Sequence, residues 1–161
     1  MKPSPKKYVS RAEALSKLQR YCAYQDRCHQ EVRSKLLDLG IYGDDLENII
    51  VELIEEKFLD EERFARSYAR GKFRIKRWGR DRIRRELRQR AISPYCIRKA
   101  MTEIDEAEYQ KVLRQVLDKR EKDEKERITY RRKIKLANYL IGQRGFESNL
   151  VWEAINERYP K

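Results

Sequence analysis

The sequence contains no long apolar run, and glycine and proline are scarce. Its mean hydropathy is −0.96, and no window approaches the roughly 18 apolar residues that a membrane-spanning helix needs, so we expect no membrane partner. Only 6 glycines and 4 prolines interrupt 161 residues, of which 41% are charged. Because few residues break helices and Glu, Lys, Arg, Leu and Ile are frequent, the composition predicts an all-α protein.

Cysteine and histidine, the usual ligands of zinc, are also rare. Cys22, Cys28 and Cys96 form no C-x-x-C pair, and His29 is the one histidine. A zinc site needs four such groups to converge, so we expect no metal and assign Cys22 and Cys96 to the core. The odd cysteine count and the missing apolar segment of a secretory signal favour free thiols in the cytosol. Residues 1–10 are expected to be a disordered basic leader.

The common catalytic motifs are absent as well. The chain has neither a G-x-x-x-x-G-K-S/T phosphate loop, nor a G-x-G-x-x-G turn, nor a G-x-S-x-G nucleophile elbow. Adjacent carboxylates such as Asp44 and Asp45 suit the start of a helix better than a general-acid couple. We therefore predict a protein without enzymatic activity and without a cofactor.

What the sequence does contain is a threefold repeat. Around a small pivot residue, apolar residues recur at positions −8, −4, +1, +6, +9 and +10. The pivots are Gly40, Ala91 and Gly145, and in the third repeat Ala137 and Ile141 occupy positions −8 and −4. Such spacings place side chains on one face of a helix, and a glycine suits a left-handed helix end. Because alanine tolerates that conformation less well, we expect a different turn at Ala91.

An amphipathic helix precedes each of these segments, and Asp60 and Asp105 are expected to cap two of them. The unit is therefore three helices with a thin core that must stack on its neighbours. The charged segment near 119–127 is expected to be a solvated helical extension, with an interaction arm as the alternative. We predict an all-α fold, an elongated tandem array of three three-helix repeats at residues 11–58, 59–104 and 105–161.

Positive charge is concentrated in the middle of the chain. Lys and Arg exceed Asp and Glu by 12, and residues 61–104 alone carry a net +10, against −1 before them and +3 after them. A strongly basic segment favours a polyanionic partner such as nucleic acid, or an acidic protein surface. A merely solubilising surface would intersperse both signs, so the middle repeat is the candidate binding region.

The candidate binding residues lie in one stretch, because 11 of the 21 residues at positions 70–90 are basic. With the apolar residues of its helix facing the core, this stretch would turn Arg82, Arg85 and Arg88 outward, and guanidinium groups suit phosphate or carboxylate. Trp78 either stacks on a base or pins the turn between helices, and packing is the favoured interpretation. The candidates are Arg70, Lys72, Arg74, Lys76, Arg77, Arg80, Arg82, Arg84, Arg85 and Arg88.

Four short motifs in this chain together carry a family resemblance. They are Glu31-Val32-Arg33-Ser34-Lys35-Leu36 up to Gly40, Leu59-Asp60-Glu61-Glu62-Arg63-Phe64-Ala65, Gly79-x-x-x-Ile83-x-x-Glu86-Leu87, and Arg144-Gly145-Phe146. With them the chain resembles the RecX family, regulators of the RecA recombinase, over residues 11–159. Cys28, Glu61 and Ala91 depart from the family's usual Ser, Asp and Gly.

The resemblance implies three tandem three-helix repeats and a non-enzymatic modulator. Members of the family bind in the groove of the RecA–single-stranded DNA filament, suppress its ATPase and strand exchange, and promote disassembly, which places them in DNA recombination, repair and the SOS response. We therefore expect the RecA nucleoprotein filament as the main partner, single-stranded DNA as a weaker one, and a monomer. The alternative is a helical protein that binds nucleic acid directly through its basic middle repeat.

Overall fold

A computed structural model describes residues 9–123 and 127–160. Across these residues the chain forms nine α-helices and no strand, which confirms the predicted all-α helical-repeat fold. None of the helices in this described part is both long enough and apolar enough to cross a bilayer. The helices are α1 (Arg11–Tyr24), α2 (His29–Asp38), α3 (Gly43–Glu55), α4 (Glu61–Arg74), α5 (Arg80–Gln89), α6 (Pro94–Met101), α7 (Glu106–Asp123), α8 (Tyr130–Asn138) and α9 (Ser148–Arg158).

Side chains at the helix starts explain where several helices begin. The Asp60 carboxylate accepts a hydrogen bond from the backbone N–H of Arg63 at 3.0 Å, and Asp105 accepts one from Glu108 at 3.0 Å. Both predicted caps are thereby confirmed. Each cap satisfies an N–H group that has no partner inside its helix and contributes about 1 kcal/mol. The same type of cap starts α1, α6 and α8, at Ser10, Ser93 and Thr129.

The three pivot residues share a left-handed backbone at the end of a helix. The φ angle is +81° at Gly40, +56° at Ala91 and +81° at Gly145. The expectation of a different turn at Ala91 is therefore wrong. After Ala91, the N–H of Ile92 donates to the Leu87 carbonyl at 3.1 Å, and both side chains are buried. This anchoring on both sides holds an alanine in a conformation that costs about 1–2 kcal/mol.

A π-helical turn in the third repeat shifts one core position. It spans Tyr139–Gln143 and continues α8 directly. The N–H of Phe146 donates to the carbonyl of Leu140, six residues earlier, at 3.0 Å, whereas the corresponding bond in the other two repeats spans five residues. As a result Leu140 is fully buried and Ile141 only partly. The assignment of Ile141 to the core position is wrong, because a π turn inserts a residue that α-helical periodicity does not include.

Buried apolar side chains form two separate clusters. One consists of residues of the first repeat together with Leu59, and it includes Leu18 and Ile49, both with 0% exposure. The other runs through the second and third repeats and includes Phe73, Tyr109 and Phe146. The expected stacking of neighbouring repeats therefore holds for the second and third, while the first repeat has a core of its own.

Polar contacts connect the first repeat to the second. Arg63 in α4 donates to the Asp26 carboxylate at 2.7 Å and to the carbonyls of Lys57 and Phe58, each at 3.1 Å. The side chain of Cys28, which comes from the first repeat, packs into the second cluster. These contacts link two cores that are packed separately.

The second and third repeats meet where α5 begins. The N–H of Gly79 donates to the Arg144 carbonyl at 2.6 Å, and the N–H of Asp81 donates to the Gly145 carbonyl at 3.0 Å. The backbones approach so closely that a Cβ added to Gly79 would lie 2.3 Å from the Gly145 carbonyl carbon. The start of α5 is thus held by the turn of the third repeat.

Two sequence predictions fall partly outside the described residues. The basic leader 1–10 lies outside them as far as residue 8, and Ser10 already caps α1. The charged segment is helical up to Asp123, where α7 ends. Residues 124–126 lie outside the described part, so the rest of the predicted extension stays a prediction.

We predict that Gly145→Ala destabilises the fold far more than Gly43→Ala. Both glycines have a positive φ, +81° and +61°, which costs an alanine about 1 kcal/mol. A Cβ at Gly43 meets no atom within 4 Å, whereas one at Gly145 would lie 2.3 Å from the Cβ of Arg82. Urea unfolding should give a loss of about 1 kcal/mol for Gly43→Ala and about 3 kcal/mol or more for Gly145→Ala. Equal losses would show that the junction relaxes without cost.

Candidate functional site

The ten candidate binding residues lie at the end of α4, in the turn that follows and in α5, and the structure separates them by their contacts. On α5, Arg85 and Arg88 lie opposite Ile83 and Leu87, which both have 0% exposure. Their outward position matches the helical phase predicted from the sequence. Four side chains are exposed and form no ion pair or hydrogen bond with any residue of the described part. These four exposed cations are Arg74, Lys76, Arg85 and Arg88.

Two further candidates, Arg70 and Arg84, are paired with carboxylates. Arg70 lies 3.1 Å from Glu103, and Arg84 lies 3.2 Å from Asp81. Glu103 also accepts a hydrogen bond from Arg66 at 2.9 Å, which holds the pKa of its carboxyl below the usual value. Partly exposed ion pairs of this kind contribute little stability, so either arginine can leave its carboxylate at low cost and bind another anion.

Trp78 packs against the second core and carries two cations on its ring. The Lys72 ammonium lies 4.9 Å and the Arg82 guanidinium 3.9 Å from the ring centroid. Arg82 also donates to the Gln143 carbonyl at 2.6 Å. The expectation that Arg82 points outward with Arg85 is therefore wrong, because Arg82 bridges to the third repeat. For Trp78 the structure agrees with the packing interpretation, since its side chain lies partly buried against the core.

Arg80 lies in an internal network instead of at the surface. Its side chain is 18% exposed and donates to the carboxylates of Glu147, at 3.3 Å, and Glu106. The Tyr109 hydroxyl donates to Glu147 at 2.6 Å and accepts from the Arg80 backbone N–H at 3.0 Å. Burial, together with the hydrogen bond to Glu147, raises the pKa of Tyr109 well above its usual value, so the hydroxyl remains a donor. We therefore remove Arg80 from the candidate binding residues.

The third repeat places a further cation, Arg144, beside the candidate residues, and the sequence pattern does not indicate it. Arg144 donates from Nη2 to the carbonyls of Lys76, at 2.7 Å, and Arg77, at 3.0 Å. Arg77 in turn donates to Gln115 at 3.2 Å. Residues 67 positions apart in the chain cannot be paired from local periodicity. The one available indication was that Arg144 precedes the pivot Gly145 in a motif of the family resemblance.

The cysteines contribute no metal site. Within the described residues, no three His, Cys, Asp or Glu side chains come together in a way that could hold an ion. Cys22 lies in the first core and Cys96 in the second, as predicted. All three thiols, including Cys28, are free and buried, and burial raises the pKa of each. A buried neutral thiol is a poor nucleophile.

We predict that replacing Arg85 and Arg88 together by Gln leaves the free energy of unfolding within about 0.5 kcal/mol of the unmodified protein. Neither side chain has a partner to lose within the part of the chain that the structure describes. Arg82→Gln removes a hydrogen bond and the cover of Trp78, and should cost about 1–2 kcal/mol. Urea unfolding of both variants measures the difference. A comparable loss in the double variant would show that its arginines are structural too.

Comparison with known proteins places the chain among named relatives. Residues 60–101 match the family model of the second three-helix domain of RecX. The regulatory protein RecX of Prosthecochloris aestuarii is 31% identical over 147 residues, which cover 90% of this chain and 93% of that protein. The regulatory protein RecX of Limosilactobacillus reuteri is 30% identical over 91% of this chain, but the match spans only 54% of that longer relative.

Two crystal structures share the fold. RecX from Lactobacillus salivarius superposes with a TM-score of 0.80 at 21% identity and covers 91% of this chain and 95% of its own. A second structure, of a regulatory protein RecX, gives a TM-score of 0.82 at 26% identity, over 91% of this chain and 71% of its own. Since the P. aestuarii relative matches over nearly all of both chains, this protein belongs to the RecX family.

Proposed function

We propose that this protein binds the RecA–single-stranded DNA filament and inhibits its ATPase, strand exchange and growth, without catalysing a reaction itself. The observation that carries the proposal is the 31% identity to a regulatory protein RecX across 90% of the chain. The resemblance seen in the sequence motifs supplies the partner, because the family is one of RecA regulators. We expect the protein to act as a cytosolic monomer.

The second repeat supports this proposal because the acidic residues of the protein neutralise its positive charge only in part. The four exposed cations have no partner among the described residues, so their field is available to a polyanionic partner. The start of α5, which carries Arg85 and Arg88, is fixed by backbone hydrogen bonds to the third repeat. A surface held in place before binding loses little conformational freedom on association.

A second candidate function is direct binding of nucleic acid, which the same unpaired cations favour. The two functions differ in their dependence on salt. If about five phosphates of single-stranded DNA are neutralised, affinity should fall roughly a hundredfold between about 50 and 200 mM salt. Binding to a filament through mixed protein and DNA contacts should fall less, so titrations of naked DNA and of the filament at both salt concentrations separate the two.

We predict that the variant Arg85→Gln/Arg88→Gln inhibits RecA poorly. In an assay of RecA ATPase on single-stranded DNA, the unmodified protein should lower ATP turnover as it is titrated in. The double variant should need about five- to tenfold more protein for the same inhibition, because two charge contacts of about 0.5–0.7 kcal/mol each are lost.

The matched control is Lys17→Gln/Arg20→Gln, which also removes two exposed cations three residues apart, on α1 of the first repeat. It should inhibit within about twofold of the unmodified protein. Equal loss in both variants would assign the effect to total charge and contradict a binding surface on α5. Absence of inhibition by the unmodified protein would reject the proposed function.

A further inference from the structure

We propose that a cleft between the second and third repeats binds phosphodiester groups of single-stranded nucleic acid. The inference rests on the proposed function, since it names the chemical group of the filament that this part of the protein contacts. It adds a site that lies beside α5 and draws most of its residues from the third repeat.

The cleft has a volume of about 380 Å³ and a strongly cationic lining. It lies between the turn after α4, one side of α7 and the π turn of the third repeat. None of the described residues that line it is acidic, and the four cations among them are Arg77, Lys119, Arg120 and Arg144. An enclosed surface with one sign of charge concentrates the field acting on an anion.

Arg144 is held in place by hydrogen bonds, and no carboxylate of the described residues pairs with it. Nη2 donates to the carbonyls of Lys76 and Arg77, which orients the guanidinium. Nε is buried without a hydrogen-bond acceptor in the described part of the chain. A buried donor without an acceptor costs about 1–3 kcal/mol, and a guanidinium binds a phosphate with several parallel hydrogen bonds. The arrangement provides a rigid cation with donor capacity left over.

Arg77 adds a second fixed cation at a strained backbone position. Its φ is +56°, in a region that costs a residue other than glycine about 1–2 kcal/mol. The side chain donates to Gln115 with one nitrogen, at 3.2 Å, and its other donors bond to no acceptor among the described residues.

Two residues of α7 complete the cleft. Lys119 is exposed and has no partner among the described residues. Arg120 lies with its guanidinium 4.2 Å from the centre of the Tyr139 ring, which holds its long side chain in place. Together with Arg77 and Arg144 they surround the cleft with cations from both repeats.

A nucleic-acid strand fits these observations better than a lone phosphate ion does. Arg74 and Lys76 lie three positions and one position before Arg77 in the chain, and both are exposed and unpaired within the described residues. Cations therefore continue from the cleft out onto the surface. A single small anion would use only the cleft, whereas a chain of phosphates can use both.

The test is the double variant Arg77→Gly/Lys119→Gln. Glycine removes the guanidinium and also relieves the positive φ, so the fold should be retained. Fluorescence anisotropy with a labelled 20-residue oligothymidylate, at about 50–200 mM NaCl, should show affinity reduced about tenfold at low salt. The slope of log affinity against log salt should become shallower by about 1.4, because each lost phosphate contact contributes about 0.7.

The matched control is Lys57→Gly/Lys111→Gln. Lys57 also has a left-handed backbone, with φ of +63°, and Lys111 is an exposed lysine of α7 that does not line the cleft. Both affinity and slope should stay those of the unmodified protein. A slope for Arg77→Gly/Lys119→Gln equal to that of the control overturns the proposal, as does an unmodified protein that fails to bind the oligonucleotide.

A further arm distinguishes nucleic acid from free phosphate. Inorganic phosphate at about 10 mM, with ionic strength held constant, should displace the oligonucleotide less than twofold. If phosphate displaces the oligonucleotide from the unmodified protein but not from the Arg77→Gly/Lys119→Gln variant, the assignment to nucleic acid is overturned. Because these titrations contain no RecA, inhibition of RecA by the unmodified protein with an unchanged salt slope rejects the cleft alone. A changed slope without RecA inhibition rejects the proposed function alone.

Discussion

The placement of the cations on α5 depends on the close contact between the turns at Gly79 and Gly145. Gly79 has no side chain with which to cap α5, so the first N–H groups of that helix need acceptors from elsewhere. The Tyr109 hydroxyl accepts from the N–H of Arg80 at 3.0 Å, and the Gly145 carbonyl accepts from the N–H of Asp81 at 3.0 Å. The Arg144 carbonyl holds the N–H of Gly79 itself at 2.6 Å, and the Arg80–Glu147 pair reinforces the contact. A helix fixed at its first turn presents Arg85 and Arg88 in one direction, which a loosely joined helix would not do.

Most of the fold could be predicted from the sequence, because each repeat buries one apolar face and capping is decided by residues close in the chain. The caps at Asp60 and Asp105 are of this kind. The two errors have tertiary causes. Ala91 is forced into a left-handed turn by the burial of its neighbours, and Leu140 replaces Ile141 in the core because of a π turn. Residues close in the sequence indicate neither the left-handed turn at Ala91 nor the π turn that buries Leu140.

The sequence was enough to select the candidate residues, but it did not show which of them are exposed and which are paired with other residues. Helical phase was enough to place Arg85 and Arg88 outside. The carboxylates that engage Arg80 belong to Glu106 and Glu147, which lie 26 and 67 positions further along the chain. Arg77 and Arg144 are also 67 positions apart in the chain. Net charge counts every arginine equally, whereas burial and ion pairing decide which of them meet a partner.

The division of the apolar interior into two clusters also determines how the chain can deform. The second and third repeats share one interior, to which the first repeat adds Cys28, and the other buried apolar side chains of the first repeat form a second interior. Between them lies a seam of polar contacts around Arg63. Polar contacts can be exchanged for water at low cost, so a change in the angle between the two interiors would cost least at this seam. Such a change would leave the packing inside both interiors intact.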